Sequence, residues 1–185
     1  MSVRRLSGPL PRVSRGLFGV SAVAAAIAAL SLAGPPARAT TPASSAAPPA
    51  CQTKGLVVWI NTQGNGTAGT DFFTLNFTNL SGHSCVLRGF PGVSAVNLRG
   101  GMIGRAAGRD SGQTVRSVTL TNGHTAHAVL GIVDIGALPS CPPTTAAGLR
   151  VFPPNQHASK VVPFPFPACG RRGGPAFLRI RPVTR

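Results

Sequence analysis

Residues 71–92 (DFFTLNFTNLSGHSCVLRGFPG) restrict the fold more than any other stretch of the chain. From Phe73 onward, apolar and polar side chains alternate, which is the period of a half-buried β-strand. Residues 79–83 are turn formers, and Gly82 among them can take the positive φ that a short connection requires. The pattern therefore predicts a β-hairpin whose return strand begins at Cys85, with further strands added to it.

Further short runs of β-branched and alternating residues indicate more strands. They lie at residues 56–61, 93–98, 115–120, 125–133, 149–152, 160–164 and 176–183. Asn122-Gly123 lies between two of these runs and is the strongest short-range signal for a second hairpin. With seven to nine short strands and no long helix after residue 50, the sequence predicts an all-β fold: an antiparallel two-sheet β-sandwich, immunoglobulin-like at most.

Three local details accompany this fold prediction. The only tryptophan, Trp59, belongs to an apolar run and is expected in the core. Residues 62–70 and 99–114 are rich in glycine and predict loops. The run at 160–164 contains proline, which is confined to the edges of sheets, so it predicts an edge strand.

The first 50 residues indicate export. Basic residues, an apolar alanine-rich run at 17–33 and the small-residue site Ala37-Arg38-Ala39 predict a signal peptide over residues 1–39, with a retained anchor as the alternative. Residues 40–50 are rich in Pro, Ala, Ser and Thr and predict a linker. One domain follows at 51–185, without a membrane span once the signal peptide is removed. We therefore expect a secreted or cell-wall-associated protein.

Four cysteines, Cys51, Cys85, Cys141 and Cys169, all lie in the predicted exported domain. An even number of cysteines without a Cys-x-x-Cys spacing indicates two disulfides rather than a metal site. The four allow three pairings, of which we favour Cys51 with Cys85 and Cys141 with Cys169. Each closed loop would add about 3–4 kcal/mol to the stability in the chain-entropy model.

The predicted mature domain is strongly basic. Residues 1–39 hold five of the 18 lysines and arginines, so 13 remain against three aspartates and no glutamate, a formal charge of +10. This charge favours binding to anionic polymers such as wall teichoic acids or acidic glycans, with Arg171 and Arg172 as an adjacent contributing pair. An arginine-rich composition is also typical of a GC-rich genome, so the partner stays open: an anionic cell-wall polymer or an envelope protein, and no specific nucleic acid.

A serine hydrolase is the first enzymatic alternative. Asp110-Ser111-Gly112 resembles the sequence around a trypsin-like nucleophile, and His83 precedes it in the chain. Such a triad needs an aspartate that orients the histidine from its far side. Asp110 is the only carboxylate between His83 and Ser111, and it adjoins the serine. Single aspartates in or beside loops are more often turn formers or arginine partners.

A metal-dependent enzyme is the other alternative. His124 and His127 are three residues apart in a predicted strand, so they face opposite sides of the sheet. His83 and His157 are distant from them in sequence. The sequence therefore predicts no catalytic, cofactor-binding or metal-binding residue, and an enzyme using Ser111, Asp110 or the histidines remains the alternative.

Several motifs together resemble a known family. They are residues 79–93 (NLSGHSCVLRGFPGV), 119–120 with 123–126 (TL and GHTA), 148–154 (GLRVFPP) and the four cysteines. In combination they resemble a family of secreted actinobacterial proteins catalogued as domain of unknown function 4232, over residues 51–185. The resemblance implies an exported β-sandwich and no known reaction, and carries over only the cysteines and the turn at 89–92 as structural features.

These observations predict an exported, non-enzymatic domain that binds a partner or has a structural role in the cell envelope or the medium. Exposed loops carry contact residues more often than strands do. The loops predicted at 62–70 and 99–114 are therefore the expected contact surface.

Overall fold

A computed structural model describes residues 47–185. The predicted signal peptide at 1–39 and most of the predicted linker, residues 40–46, lie outside the described residues. The last linker residues, 47–50, are exposed. Within the described part, no helix is long and apolar enough to cross a membrane.

Eleven strands and two short 3₁₀ helices make up the secondary structure of residues 47–185, and there is no α-helix among them. The 3₁₀ helices are Thr53–Gly55 and Ile135–Ala137. The strands are β1 (Leu56–Thr67), β2 (Thr70–Asn79), β3 (Cys85–Arg88), β4 (Gly92–Val96), β5 (Met102–Ile103), β6 (Gly108–Arg109), β7 (Ser117–Leu120), β8 (Thr125–Val133), β9 (Pro143–Phe152), β10 (Lys160–Cys169) and β11 (Leu178–Ile180). They form a five-stranded sheet (β1-β2-β8-β11-β6), a four-stranded sheet (β10-β9-β4-β5) and the pair β3-β7. The predicted all-β sandwich is confirmed, with one short parallel pairing between β6 and β11.

The loop predicted at 62–70 is wrong, because most of these residues continue a long hairpin. β1 and β2 pair as far as Thr67 opposite Thr70. Between them, Ala68 and Gly69 have φ values of 47° and 79°, as a two-residue hairpin loop of the primed type requires. The turn is therefore confined to two residues at the tip of the hairpin.

Two glycines in β1, Gly64 and Gly66, mark close approaches of neighbouring side chains rather than a turn. A Cβ at Gly64 would lie 2.6 Å from the Phe73 ring, and one at Gly66 would lie 2.6 Å from the Asp71 carboxylate. A glycine in a strand often marks such a close approach of side chain to backbone. The composition alone resembles that of a loop, which is why the prediction failed.

Neither of the two hairpins predicted from the sequence, at 71–92 and at 115–133, forms. After residues 79–83 the chain enters β3, which pairs with β7 and not with β2. Asn122-Gly123 do lie in a tight turn, closed by a hydrogen bond from the His124 N–H to the Thr121 carbonyl (3.1 Å). The strands on its two sides, β7 and β8, nevertheless belong to different sheets. Both turns are crossovers between sheets.

Asn79, at the end of β2, connects the two crossovers and is completely buried. Its side-chain amide donates to the His83 carbonyl (2.8 Å) and to the Leu120 carbonyl (3.0 Å). Its side-chain oxygen accepts from the Ser81 N–H (3.0 Å). Its backbone N–H donates to the His124 carbonyl (2.9 Å). One side chain and its peptide group therefore hold the ends of β2 and β7 and both turns together.

The core lies between the two main sheets. The predicted alternation along β2 is confirmed, because Leu75 and Phe77 are completely buried. Half-buried Phe73 joins the sheets by an edge-on contact with Phe164 of β10, with 4.9 Å between ring centroids. The core position predicted for Trp59 is wrong: its side chain is 45% exposed on the solvent face of β1.

β10 has a neighbouring strand on one side only, β9. Its three prolines are exposed, and Phe164 and Phe166 between them are buried. Since proline cannot donate to a strand ladder, a strand with this composition fits only at an edge. The predicted edge strand is confirmed, and it extends beyond 160–164 as far as Cys169.

The structure contains both favoured disulfides, Cys51–Cys85 and Cys141–Cys169, with Cα–Cα distances of 4.8 and 5.3 Å. The first attaches the start of the domain to β3, where the Cys51 N–H also donates to the Val86 carbonyl (3.0 Å). The second joins the segment before β9 to the end of β10. The first bond therefore secures the start of the domain to a four-residue strand, and the second closes the end of the β9–β10 ladder.

We expect Asn79→Ala to lower the free energy of unfolding by about 2–4 kcal/mol, because two carbonyls and one N–H lose their partner inside the fold. Asn97 is the matched control. Its side-chain oxygen also accepts from two backbone N–H groups, but the residue is exposed. Water can replace those bonds, so Asn97→Ala is expected to cost less than about 1 kcal/mol. Urea unfolding measures both, and equal losses would contradict the role assigned to Asn79.

Candidate functional site

The residues of the hydrolase alternative are not joined by the hydrogen bonds of residues 47–185. The Asp110 carboxylate accepts from Arg181 Nε (3.2 Å) and from the Gly112 N–H (3.3 Å). His83 Nδ1 lies 3.0 Å from the Ser81 carbonyl. Neither set of contacts includes Ser111. Asp110 therefore serves as a turn former and an arginine partner.

The histidines are also separated. His124 lies in an exposed turn, where Nδ1 shares a hydrogen bond with Thr121 Oγ1 (2.6 Å). His127 is half-buried on β8, and His157 is exposed. Among the described residues, no group of three or more His, Cys, Asp or Glu side chains is placed to hold a metal ion.

A basic cleft lies beside β5, at one edge of the four-stranded sheet. We name it the Arg105–Arg172 cleft. It has a volume of about 470 Å³ and is lined by Met102, Gly104, Arg105, Ala106, Arg172 and Gly173. Both arginines are exposed, and so is the neighbouring Arg171. The lining contains two guanidinium groups and no carboxylate.

The first wall of the cleft is fixed by β5 and a glycine. Buried Ile103 pairs with Ala95 of β4, which turns Met102 towards solvent. Gly104 follows with a φ of +66°, and a Cβ there would lie 2.6 Å from the Phe177 ring and 3.0 Å from the Cys169 carbonyl. Only glycine fits this backbone conformation and this close contact, so Arg105 leaves the sheet edge in a defined direction.

The second wall is a β-turn anchored by a disulfide. The Gly174 N–H donates to the Arg171 carbonyl (3.1 Å), and Gly173 has a φ of +69° at the third position. This is the arrangement of a type II turn, with Arg172 at its second position. The turn begins two residues after Cys169, whose disulfide holds the end of β10. Arg172 is therefore presented by a short, closed turn.

The guanidinium groups of the cleft face no neutralising carboxylate. In residues 47–185 there is one ion pair, Arg181–Asp110, although 13 lysines and arginines lie in that part of the chain. A guanidinium presents a planar fork of donors that matches the oxygens of a carboxylate or a phosphate. The cleft can therefore bind an anion by two adjacent forks.

Sequence reasoning identified part of this site. It selected residues 99–114 and the pair Arg171 and Arg172 separately, and the structure places Arg105 of the first segment beside Arg172 of the second. It did not select Arg105 by itself. The available signal was Gly104, a glycine directly before an arginine in a segment already predicted to be exposed.

One comparison with known proteins identifies a family. The model of a family described as "Domain of unknown function (DUF4232)" matches residues 51–184. No curated protein and no solved structure matches the chain.

We expect Gly104→Ala to lower the free energy of unfolding by about 2–5 kcal/mol, from a strained φ together with overpacking against the Phe177 ring. Gly173→Ala is the matched control, since Gly173 has a similar positive φ but a methyl group placed there would have no atom within 4 Å. It should cost only the conformational part, about 1–2 kcal/mol. Urea unfolding separates the two, and a smaller loss for Gly104→Ala would contradict the packing described for this wall.

Proposed function

The chain belongs to the DUF4232 family, and we propose that it is an exported, non-enzymatic β-sandwich that binds an anionic polymer of the cell envelope through the Arg105–Arg172 cleft. The meeting of Arg105 and Arg172 in a cleft without a carboxylate carries this proposal. Gly104 and the disulfide-anchored turn define the backbone that carries these side chains, so little backbone order has to be gained on binding.

The charge of the whole domain supports a polymeric partner. Lysines and arginines outnumber aspartates by 13 to 3 after residue 39, and only one of them is paired with a carboxylate in the described part. The positive electrostatic field of the domain attracts a polyanion from a distance, and the arginines of the cleft then form directional hydrogen bonds with it. A polymer with repeated phosphate or carboxylate groups fits both features.

Export is supported by two observations. Disulfides persist in oxidising compartments and are rare in the cytosol, and the domain has two of them. Residues 1–39 have the composition of a secretory signal peptide. A basic, disulfide-linked domain outside the cell meets the anionic polymers of the wall first.

The test is retention of the mature domain on immobilised teichoic acid and on immobilised heparin at increasing salt. We expect the double variant Arg105→Gln, Arg172→Gln to lose about 5–30-fold in affinity at low salt, from two exposed charge contacts of about 0.5–1 kcal/mol each. The two columns distinguish a phosphate polymer from a sulfated or carboxylated one.

Arg88→Gln with Arg116→Gln is the matched control, because both arginines are exposed and lie outside the cleft. This variant removes the same charge and should lose about 2-fold or less. Equal losses for the two double variants would show that only net charge matters. Retention that does not respond to salt would contradict binding to a polyanion altogether.

A further inference from the structure

We propose that the solvent face of the five-stranded sheet is a second binding site, which takes the sugar rings of an acidic polysaccharide that contains uronic acids. This site, the Trp59 face, consists of Trp59, Thr78, Thr125 and His127 and an adjoining cleft. The cleft has a volume of about 320 Å³ and is lined by Asn65, Thr67, Phe72, Phe73, Thr74, Val129 and Arg181. The inference goes beyond the proposed function and does not depend on the Arg105–Arg172 cleft.

Trp59 is the centre of this face. Its side chain is 45% exposed, although large aromatic side chains are normally buried. Its Nε1–H donates to Thr78 Oγ1 (3.2 Å), and Thr78 Oγ1 shares a hydrogen bond with Thr125 Oγ1 (2.9 Å). These bonds fix the indole ring against the sheet, so an accessible ring surface exists before any ligand arrives.

A fixed indole beside polar side chains suits the surface of a sugar. A pyranose ring has an apolar side of C–H groups and a rim of hydroxyls, so it packs on an aromatic ring while polar groups bond its edge. Trp59 lies opposite Asn76, and Asn76 lies opposite His127. With strands about 4.8 Å apart, the row from Trp59 to His127 spans about 10 Å, which is the length of a disaccharide.

The adjoining cleft supplies guanidinium donors from Arg181, which is itself paired with Asp110. Thr74 lies two residues before Asn76 on β2, so the cleft begins about 7 Å along the strand from that row. The Arg181 guanidinium is 5.7 Å from the centroid of the Phe72 ring, and its Nε donates to Asp110 (3.2 Å). That bond orients the guanidinium and leaves its terminal NH₂ groups available to a carboxylate.

The positive charge of the domain, 13 lysines and arginines against three aspartates after residue 39, favours an acidic glycan over an uncharged one. No carboxylate lines the cleft, and Asp110, which lies outside its lining, is engaged by Arg181. Exposed apolar area is small here: apart from Trp59, the one large exposed apolar side chain on the outward side of β1 is Val57, 45% exposed. A stable protein interface would need a far larger buried area than this pair supplies.

Tryptophan fluorescence reads this site directly, because Trp59 is the only tryptophan and the chain has no tyrosine. The mature domain is titrated with oligogalacturonate and with an uncharged oligosaccharide of equal length. We expect a saturable change in emission with oligogalacturonate and none with the uncharged sugar. No change with oligogalacturonate, or the same change with both sugars, would overturn the proposal.

Two pairs of variants locate the binding by calorimetry with the same oligogalacturonate. Trp59→Ala should weaken affinity about tenfold, whereas Val161→Ala, an apolar side chain on β10 that is 59% exposed and lies outside the face, should change it less than about threefold. Arg181→Gln should weaken it about tenfold and Arg88→Gln should not. Equal effects within either pair would overturn the assignment.

Three further outcomes separate this proposal from the alternatives. Oligogalacturonate binding that survives Arg105→Gln, Arg172→Gln would support a second site even if the proposed role of the Arg105–Arg172 cleft fails. Binding lost in that variant and kept in Trp59→Ala would overturn the Trp59 face. The protein could also form a dimer in the absence of sugar. If diluting that dimer changes Trp59 emission, the face would be assigned to contact with a second copy of the chain instead.

Discussion

The buried carboxamide of Asn79 is the interaction on which the rest of this fold depends. A sandwich requires strands to leave one sheet and enter another, and each such crossover exposes peptide groups that no ladder satisfies. Asn79 satisfies groups of both crossovers at once, through its side chain and its own peptide N–H. Because β2 and β7 meet at this residue, Asn79 joins the five-stranded sheet to the small β3–β7 pair.

The candidate sites lie where this scaffold leaves side chains exposed but well positioned. In the Arg105–Arg172 cleft, a positive-φ glycine and a disulfide-anchored turn hold two arginines whose charges no carboxylate offsets. On the Trp59 face, hydrogen bonds between strands hold an indole ring that lies outside the core. Each arrangement presents its side chains at the surface of the domain.

The alternation of side chains predicted most strands and their buried faces, including Leu75 and Phe77 of β2. It failed for Trp59, because residues 56–60 are apolar at every position and alternation then cannot tell the inner side from the outer. It also failed at 62–70, where glycines needed for close packing have the composition of a loop. The proximity of Arg105 to Arg172 could not be predicted either. It arises because two segments that are far apart in sequence meet at the β5 edge of the four-stranded sheet.

By itself, the sequence determined the conformation of most strands, the edge position of β10 through its prolines and the number of disulfides through four cysteines. These are local or compositional properties, and local sterics and counting are enough to establish them. Tertiary structure alone decided which strands pair. Turn residues specify the φ of a turn but not the sheet that the next strand enters, and that choice depends on contacts such as those of Asn79, which exist only once the sheets have met.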